Sequence, residues 1–174
     1  MKQSLDRVVG EMVKSYKTVG GINHIDGVNL PSKQAVEDIA RDLLRVVFPG
    51  FYDRQDLHRV ECRQYVAEIL ARIHRQLHRE VEKSLEYQPC RHCKPCIGCK
   101  GRNLSKVAEQ ITSDFIAELP RVRTLLKSDV EAAFAGDPAA KSLEEIIVAY
   151  PCITAIAIQR MALILQRRPV ERRV

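Results

Sequence analysis

Residues 136–151 have the sequence GDPAAKSLEEIIVAYP, and this stretch decides the fold of the chain. Gly136 predicts the end of a helix, because glycine very commonly follows a last helical turn. Asp137 then precedes a proline, a pair typical of turns, so its carboxylate is held in one fixed direction. Ser142, with Glu145 three residues later, has the pattern of a capping box and predicts the start of the next helix. The stretch therefore predicts two helices joined by a rigid turn that carries an acidic side chain.

The helical pattern extends outward from this turn in both directions. Apolar residues recur at intervals of three and four with charged residues between them, and no convincing apolar–polar alternation indicates a strand. Ser32 is predicted as the N-cap of one helix and Pro49-Gly50 as its stop, whereas Pro120 is predicted as the first residue of another helix. We predict an all-α fold, an antiparallel bundle of about six to seven helices with a Cys-rich loop insertion. The predicted helices cover about 5–13, 32–48, 58–87, 104–115, 120–134, 143–149 and 153–166.

The composition is typical of a soluble globular protein. Of the 174 residues, 45% are hydrophobic and 29% are charged. No apolar stretch approaches the roughly 18 residues that a membrane-spanning helix requires, and the first residues do not resemble a secretory signal, so we expect a cytoplasmic protein without membrane contact. The net charge of +6 permits weak attraction to nucleic acid, but aromatic residues are only 5% and Trp is absent. A base-stacking surface is therefore not expected.

A cysteine-rich loop interrupts the helical pattern over residues 88–102. In a reducing compartment, clustered cysteines favour metal binding over disulfides. The compact spacing is similar to that of loops that wrap an iron–sulfur cluster, whereas structural zinc usually takes two pairs with a longer spacer, and both metals are candidates. Thiols kept reduced without metal, or a redox-labile disulfide, are the alternatives. The four predicted ligands are Cys90, Cys93, Cys96 and Cys99, and the candidates to replace one of them are His92, Cys62 and Cys152.

Two weaker signals favour ordinary solvated surfaces. His74 and His78 are four residues apart and could share a metal, but they lie among arginines with no carboxylate that completes a known motif. A solvated helix face is the favoured interpretation for them. The basic tail, residues 167–174, could contact an acidic partner, but a frayed terminus is the more common outcome.

Three blocks of the sequence resemble the long-form bacterial serine O-acetyltransferases. The first is Leu30-Pro31-Ser32, and the second is DLLRVVFPGFY over residues 42–52. The third is LPRVRTLLKSDVEAAFAGDPAA over residues 119–140, which leads on to Tyr150-Pro151. The resemblance implies an N-terminal helical domain over residues 32–166, preceded by a helix and loop in residues 1–31 and followed by the basic tail.

The resemblance also implies an activity and one site residue. The family transfers an acetyl group from acetyl-CoA to L-serine, the first reaction of cysteine biosynthesis. Its Asp-Pro-Ala turn helps to hold the amino group of serine, which implies substrate binding by Asp137 through a charge-assisted hydrogen bond. Capping of the turn is the alternative role for Asp137. Two positions depart from the family: Cys152 replaces a glycine, and Leu163 replaces a histidine and cannot form its hydrogen bonds.

The family keeps its catalytic histidine and aspartate, and its acetyl-CoA groove, in a left-handed parallel β-helix that would follow beyond Val174. We therefore expect no catalytic residue in these 174 residues, no acetyl transfer by the chain alone, and use of acetyl-CoA only with a partner β-helix domain. The implied partners are further copies of the chain or a hexapeptide-repeat acyltransferase subunit. The competing hypothesis is a non-enzymatic helical interaction module, or a thiol- or metal-sensing module, derived from that domain.

Overall fold

The computed structural model describes residues 2–25, 30–53, 57–87 and 103–167. These residues form six α-helices and contain no β-strand, which confirms the predicted all-α bundle. In chain order the helices are α1 (Lys2–Thr18), α2 (Lys33–Val47), α3 (Cys62–Tyr87), α4 (Leu104–Gly136), α5 (Leu143–Ala149) and α6 (Pro151–Arg167).

Helix α4 is the centre of the bundle. It has 33 residues, which corresponds to a length of about 50 Å, and it packs against α2, α3, α5 and α6. His74 and His78 of α3 contact Glu109 and Ser105 of α4, so the two chain segments run in opposite directions. The predicted antiparallel arrangement is thus present between the two longest helices.

The core is formed by the apolar stripes that the three- and four-residue spacing predicts. Each of α3 to α6 contributes a side chain with no solvent exposure or almost none, and α2 covers them with a further row of leucines and valines. Because these side chains come from five helices, the core joins α2 to α6 into one unit. The largest of the fully buried apolar side chains are Ile73, Phe115, Leu126, Ile146 and Ile153.

The two ends of α2 form as predicted. The Ser32 hydroxyl accepts a hydrogen bond from the Ala35 amide at 3.3 Å, the geometry of an N-cap. At the other end the Phe51 amide donates to the Phe48 carbonyl at 3.2 Å. Gly50 has a φ of 85°, which side chains with a Cβ rarely adopt, so the Pro-Gly pair makes a tight turn that stops the helix.

The prediction that Pro120 begins a separate helix is wrong. Helix α4 continues through it, so the segments predicted as 104–115 and 120–134 are one helix. Proline has no amide hydrogen and costs about 3 kcal/mol in a helix interior. Leu119 and Val122 on either side of it are both 3% exposed, and their packing in the core offsets that cost.

The first residues of two other helices differ slightly from the predicted ones. Helix α3 begins at Cys62 rather than near His58, and α6 begins at Pro151, where proline suits the first helical position. The Cys-rich loop and residues 168–174 of the basic tail lie outside the described residues. Among the described helices, none is by itself long and apolar enough to cross a membrane; α5 and α6 would pass that test only together, and they are bent by 80° to each other.

Candidate functional site

Asp137 lies in the turn between α4 and α5, as the sequence predicts. The Ala140 amide donates to the Asp137 carbonyl at 3.1 Å, which closes a four-residue turn with proline at its second position. The carboxylate folds back over this turn, because Asp137 Oδ1 accepts from the Ala139 amide at 2.9 Å. The aspartate therefore caps its turn, and its side chain has one fixed direction.

Tyr150 fixes the other oxygen of the same carboxylate. Its hydroxyl donates a short hydrogen bond to Asp137 Oδ2. Tyr150 is held in place as the C-cap of α5, where its amide donates to the Ile146 carbonyl at 3.3 Å. Both partners of this bond are half-buried. A carboxylate has about four acceptor positions, so Asp137 keeps free lone pairs for a ligand.

These bonds favour the charged form of Asp137. The Tyr150 hydroxyl, and after it the Ala139 amide, lower the pKa of the Asp137 carboxyl below its ordinary value. Conversely, the bond to Asp137, together with burial and the negative charge, raises the pKa of Tyr150 to about 12. The turn therefore presents a negative charge over the whole range of physiological pH.

The start of α5 is a capping box with one variation. Ser142 Oγ accepts from the Glu145 amide at 3.1 Å, as predicted. Glu145 Oε2 accepts from the Lys141 amide at 2.8 Å, one residue earlier than the N-cap. Both bonds fix the segment between the turn and α5, and so they help to hold Asp137 and Tyr150 at a constant distance.

A second acidic residue, Asp129, joins α4 to α6. Asp129 of α4 and Arg160 of α6 form a two-pronged ion pair, with both N···O distances 2.5 Å. Such paired bonds fix direction as well as distance. The pair holds α6 against α4 and so supports the position of the Tyr150 segment that precedes α6.

Sequence reasoning identified Asp137 but missed the role of Tyr150. Tyr150 is 13 residues from Asp137 in the chain and meets it across the short helix α5, which has seven residues. The Asp129–Arg160 pair was missed for the same reason, since it joins residues 31 apart in the chain. The two positions that depart from the family pattern both lie on α6: Cys152 is exposed and is a free thiol, and Leu163 is 37% exposed.

The histidine pair on α3 faces α4 as well as solvent. His74 Nε2 lies 3.0 Å from Glu109 Oε1, and His78 Nε2 lies 3.1 Å from the Ser105 carbonyl. His74 and His78 keep 34% and 21% of their side chains exposed while they contact α4, so they lie at the solvent-facing edge of the α3–α4 interface.

The described residues near the turn include neither a group of metal-binding side chains nor a histidine. Across the residues whose structure is described, no group of three His, Cys, Asp or Glu side chains is arranged to hold a metal ion. Metal binding by Cys90, Cys93, Cys96 and Cys99 stays a prediction, since these residues lie outside that part of the chain. Helices α4, α5 and α6 contain no histidine, so they offer no imidazole to accept a proton.

An apolar groove of about 530 Å³ lies between α2, α4 and α5. Its walls include Phe48, Phe51, Pro120 and Ile147. The Arg123 guanidinium at its rim already donates to the Val47 carbonyl at 2.7 Å and so caps α2. The polar side chains in its lining are Arg123, Thr124 and Lys127, which include no carboxylate or histidine. The Asp137 turn is therefore the stronger candidate site.

Replacement of Tyr150 by phenylalanine should move the pKa of Asp137 up toward the ordinary aspartate value. A carboxyl group whose pKa is lowered on folding stabilises the fold at pH values above its pKa in the unfolded chain. That stabilisation is lost as the pH falls through its pKa in the folded chain. The raised pKa of Tyr150 has the opposite effect: its contribution to the stability of the fold is present below pH 10 and is lost as the pH rises through about 12. Carbon-13 NMR titration of the side-chain carboxyl measures the shift.

The matched control for this titration is Tyr52→Phe. The Tyr52 hydroxyl bonds to Thr154 at 2.8 Å and not to Asp137, so this variant should leave the Asp137 pKa where it is. An unchanged Asp137 pKa in Tyr150→Phe would show that the phenol does not stabilise the carboxylate.

Comparison with known proteins gives one family. No protein-family model matches the chain. The plasmid serine acetyltransferase of Synechococcus elongatus is 33% identical over 133 residues, which is 76% of this chain and 41% of that protein. The crystal structure of serine acetyltransferase isoform 3 from Entamoeba histolytica, in complex with cysteine, has a similar fold, with a TM-score of 0.56 and 24% identity over 95% of this chain and 51% of that one.

The chain thus spans about two fifths to one half of the length of these proteins. The similarity covers most of the chain, and the resemblance noted from the blocks at residues 42–52 and 119–140 is confirmed. The sequence match and the shared helical fold identify the chain as a relative of the serine acetyltransferases.

Proposed function

We propose that the chain acts in serine O-acetylation as the helical part that binds L-serine, with Asp137 holding the ammonium group of the amino acid. The observation that carries this proposal is the fixed, anionic carboxylate of Asp137, held by the Ala139 amide and the Tyr150 hydroxyl. An ammonium group and a carboxylate form a charge-assisted hydrogen bond, about twice as strong as a neutral one. Preorganisation of the carboxylate lowers the entropy cost of binding.

Acetyl transfer needs two further parts. A general base must accept the proton of the serine hydroxyl, and a groove must present the thioester of acetyl-CoA. Since α4 to α6 contain no histidine, we assign both parts to a β-helical domain or subunit outside the described residues. The proposed partners are further copies of the chain or a hexapeptide-repeat acyltransferase subunit, and the proposed location is the cytoplasm.

Isothermal titration of the chain with L-serine tests the role of Asp137. We expect Asp137→Asn to weaken binding at least about tenfold, because the variant cannot pair its charge with the ammonium group. The matched control is Glu144→Gln, which removes the same charge from an exposed residue at the start of α5. It should leave the affinity within about twofold. Equal losses in both variants, or no binding by the wild-type chain, would contradict the proposal.

The purified chain should form no O-acetylserine from acetyl-CoA and L-serine, because the proposal engages Asp137 with the ammonium group and assigns the base and the thioester groove to a β-helical domain or subunit. Product formation should begin when a hexapeptide-repeat acyltransferase subunit is added. Mass spectrometry of O-acetylserine measures the outcome without interference from thiols of the chain, which has six cysteines. If the chain alone formed O-acetylserine faster than the uncatalysed reaction, the assignment of catalysis to a separate subunit would be wrong.

The second candidate function is a helical interaction or sensing module without catalysis. It is favoured by Leu163, which replaces a hydrogen-bonding family residue and is 37% exposed on α6. Such a module would retain the Asp137 turn as a structural feature but would not bind serine with it. It predicts that neither the wild-type chain nor Asp137→Asn binds serine, so the same titration separates the two functions.

A further inference from the structure

Tyr150 places a second hydrogen-bond acceptor beside the carboxylate of Asp137. Its hydroxyl donates its hydrogen to Asp137 Oδ2. A phenol oxygen also accepts hydrogen bonds, so its lone pairs stay available after that donation. Within the part of the chain that the structure describes, no group donates to this oxygen. The turn between α4 and α5 therefore presents two neighbouring acceptors, Asp137 Oδ2 and the Tyr150 hydroxyl oxygen.

The backbone fixes Tyr150 from both sides. Its amide donates to the Ile146 carbonyl of α5 at 3.3 Å, and its carbonyl accepts from the Ile153 amide of α6 at 3.1 Å. Ile146 and Ile153 have no exposed surface, so both anchors belong to the core of the bundle. The phenol oxygen is thus held in place before any ligand arrives, which lowers the entropy cost of binding.

The charge around the two oxygens is negative. The pKa of Asp137 is lowered by the Tyr150 hydroxyl and the Ala139 amide, both of them neutral groups. Among the described residues, no Lys, Arg or His forms an ion pair with this carboxylate. The bond to Asp137 is the largest cause that raises the pKa of Tyr150, and the charges of Asp137 and Glu145 raise it further. A cation is therefore the ligand that suits this pair of acceptors.

We propose that Tyr150 is a second ligand of the substrate ammonium group and makes the site prefer a primary amine. The inference rests on the proposed function, in which Asp137 binds the ammonium group of L-serine. A primary ammonium group has three N–H donors, as in lysine. One donates to Asp137 and another donates to the Tyr150 oxygen, since two oxygens one hydrogen-bond length apart are within reach of the same nitrogen. Methyl groups on the nitrogen remove these donors.

Isothermal titration of the full chain with L-serine and with N,N-dimethyl-L-serine tests this role. The second compound is also a cation but keeps a single N–H, which Asp137 should take. Tyr150→Phe should weaken L-serine binding about tenfold, because it removes a hydrogen bond to a charged group. The same substitution should change the affinity for N,N-dimethyl-L-serine by no more than about twofold. The wild-type chain should bind this compound about tenfold more weakly than L-serine.

The matched control is Tyr52→Phe. It removes a hydroxyl that bonds to Thr154 at 2.8 Å and not to Asp137. This variant should leave the affinity for both compounds within about twofold of the wild-type value. Circular dichroism of both variants checks that the helices are retained.

The two compounds separate direct contact from positioning. If Tyr150 acted only by orienting Asp137, Tyr150→Phe would weaken both compounds by the same factor, and the proposal would be wrong. It would also be wrong if Tyr150→Phe bound L-serine as tightly as the wild-type chain, or if the wild-type chain bound both compounds equally or bound only L-serine. Failure of the proposed function looks different: Asp137→Asn would bind L-serine as tightly as the wild-type chain, or neither would bind it, and either result would overturn both proposals.

Discussion

Replacement of Phe115 by alanine should lower the free energy of unfolding by about 3–5 kcal/mol. Phe115 lies in the middle of α4 and has 0% of its surface exposed. Removal of its ring takes away apolar burial and leaves a cavity that the long helices on either side cannot close. Urea unfolding followed by circular dichroism measures the change.

Phe134→Ala is the matched control for this experiment. It removes the same ring from the same helix at a position that is 37% exposed. Its cost should be below about 1.5 kcal/mol, because less apolar area is lost and no closed cavity forms. Similar losses in the two variants would mean that α4 is not the centre of the core.

Replacement of Asp42 by alanine should cost about 2 kcal/mol, less than the loss of a fully buried ion pair, because the Arg72 side chain that pairs with it is 41% exposed. Asp42 on α2 is 6% exposed. Its carboxylate accepts from Arg72 Nε at 2.5 Å and Nη2 at 2.8 Å on α3, and from Arg45 Nη1 at 3.3 Å. Removal of the carboxylate leaves two guanidinium groups without this partner at the junction of α2 and α3.

The control for Asp42→Ala lies one turn earlier on α2. Asp38 pairs with Arg41 at 2.8 Å, but its side chain is 39% exposed. Asp38→Ala should change the free energy of unfolding by no more than about 1 kcal/mol, since exposed ion pairs contribute little. Thermal and urea unfolding of both variants, at equal salt, give the comparison. An Asp42 variant as stable as the Asp38 variant would show that the buried network is not required.

Much of the fold follows from the sequence, because its signals act over a few residues. Apolar spacing predicts the buried faces of α2 and α3, and Ser32 and Gly50 mark helix ends through bonds to near neighbours. Pro120 misled the prediction because local propensity is overridden by core packing on both sides. Proline does favour the first position of a helix, but the core contacts of Leu119 and Val122 outweigh that preference here.

The candidate site was predicted less completely than the fold. Asp137 could be found because Asp-Pro followed by a capping box is a local pattern. Three other interactions could not be predicted, because each joins residues 13 to 31 apart in the chain. They are the Tyr150–Asp137 bond, the Asp129–Arg160 pair and the Asp42–Arg72 pair. Their partners are set by how helices cross, which no short-range pattern in one sequence specifies.

The most direct test of the central claim is to follow the carbon-13 shift of the Asp137 carboxyl while the chain is titrated with L-serine and, separately, with N-acetyl-L-serine. The second compound keeps the hydroxyl and the carboxylate but has no ammonium group. If Asp137 binds that group, L-serine shifts the resonance with saturation and N-acetyl-L-serine does not. Equal shifts with both compounds, or none with either, would contradict the account.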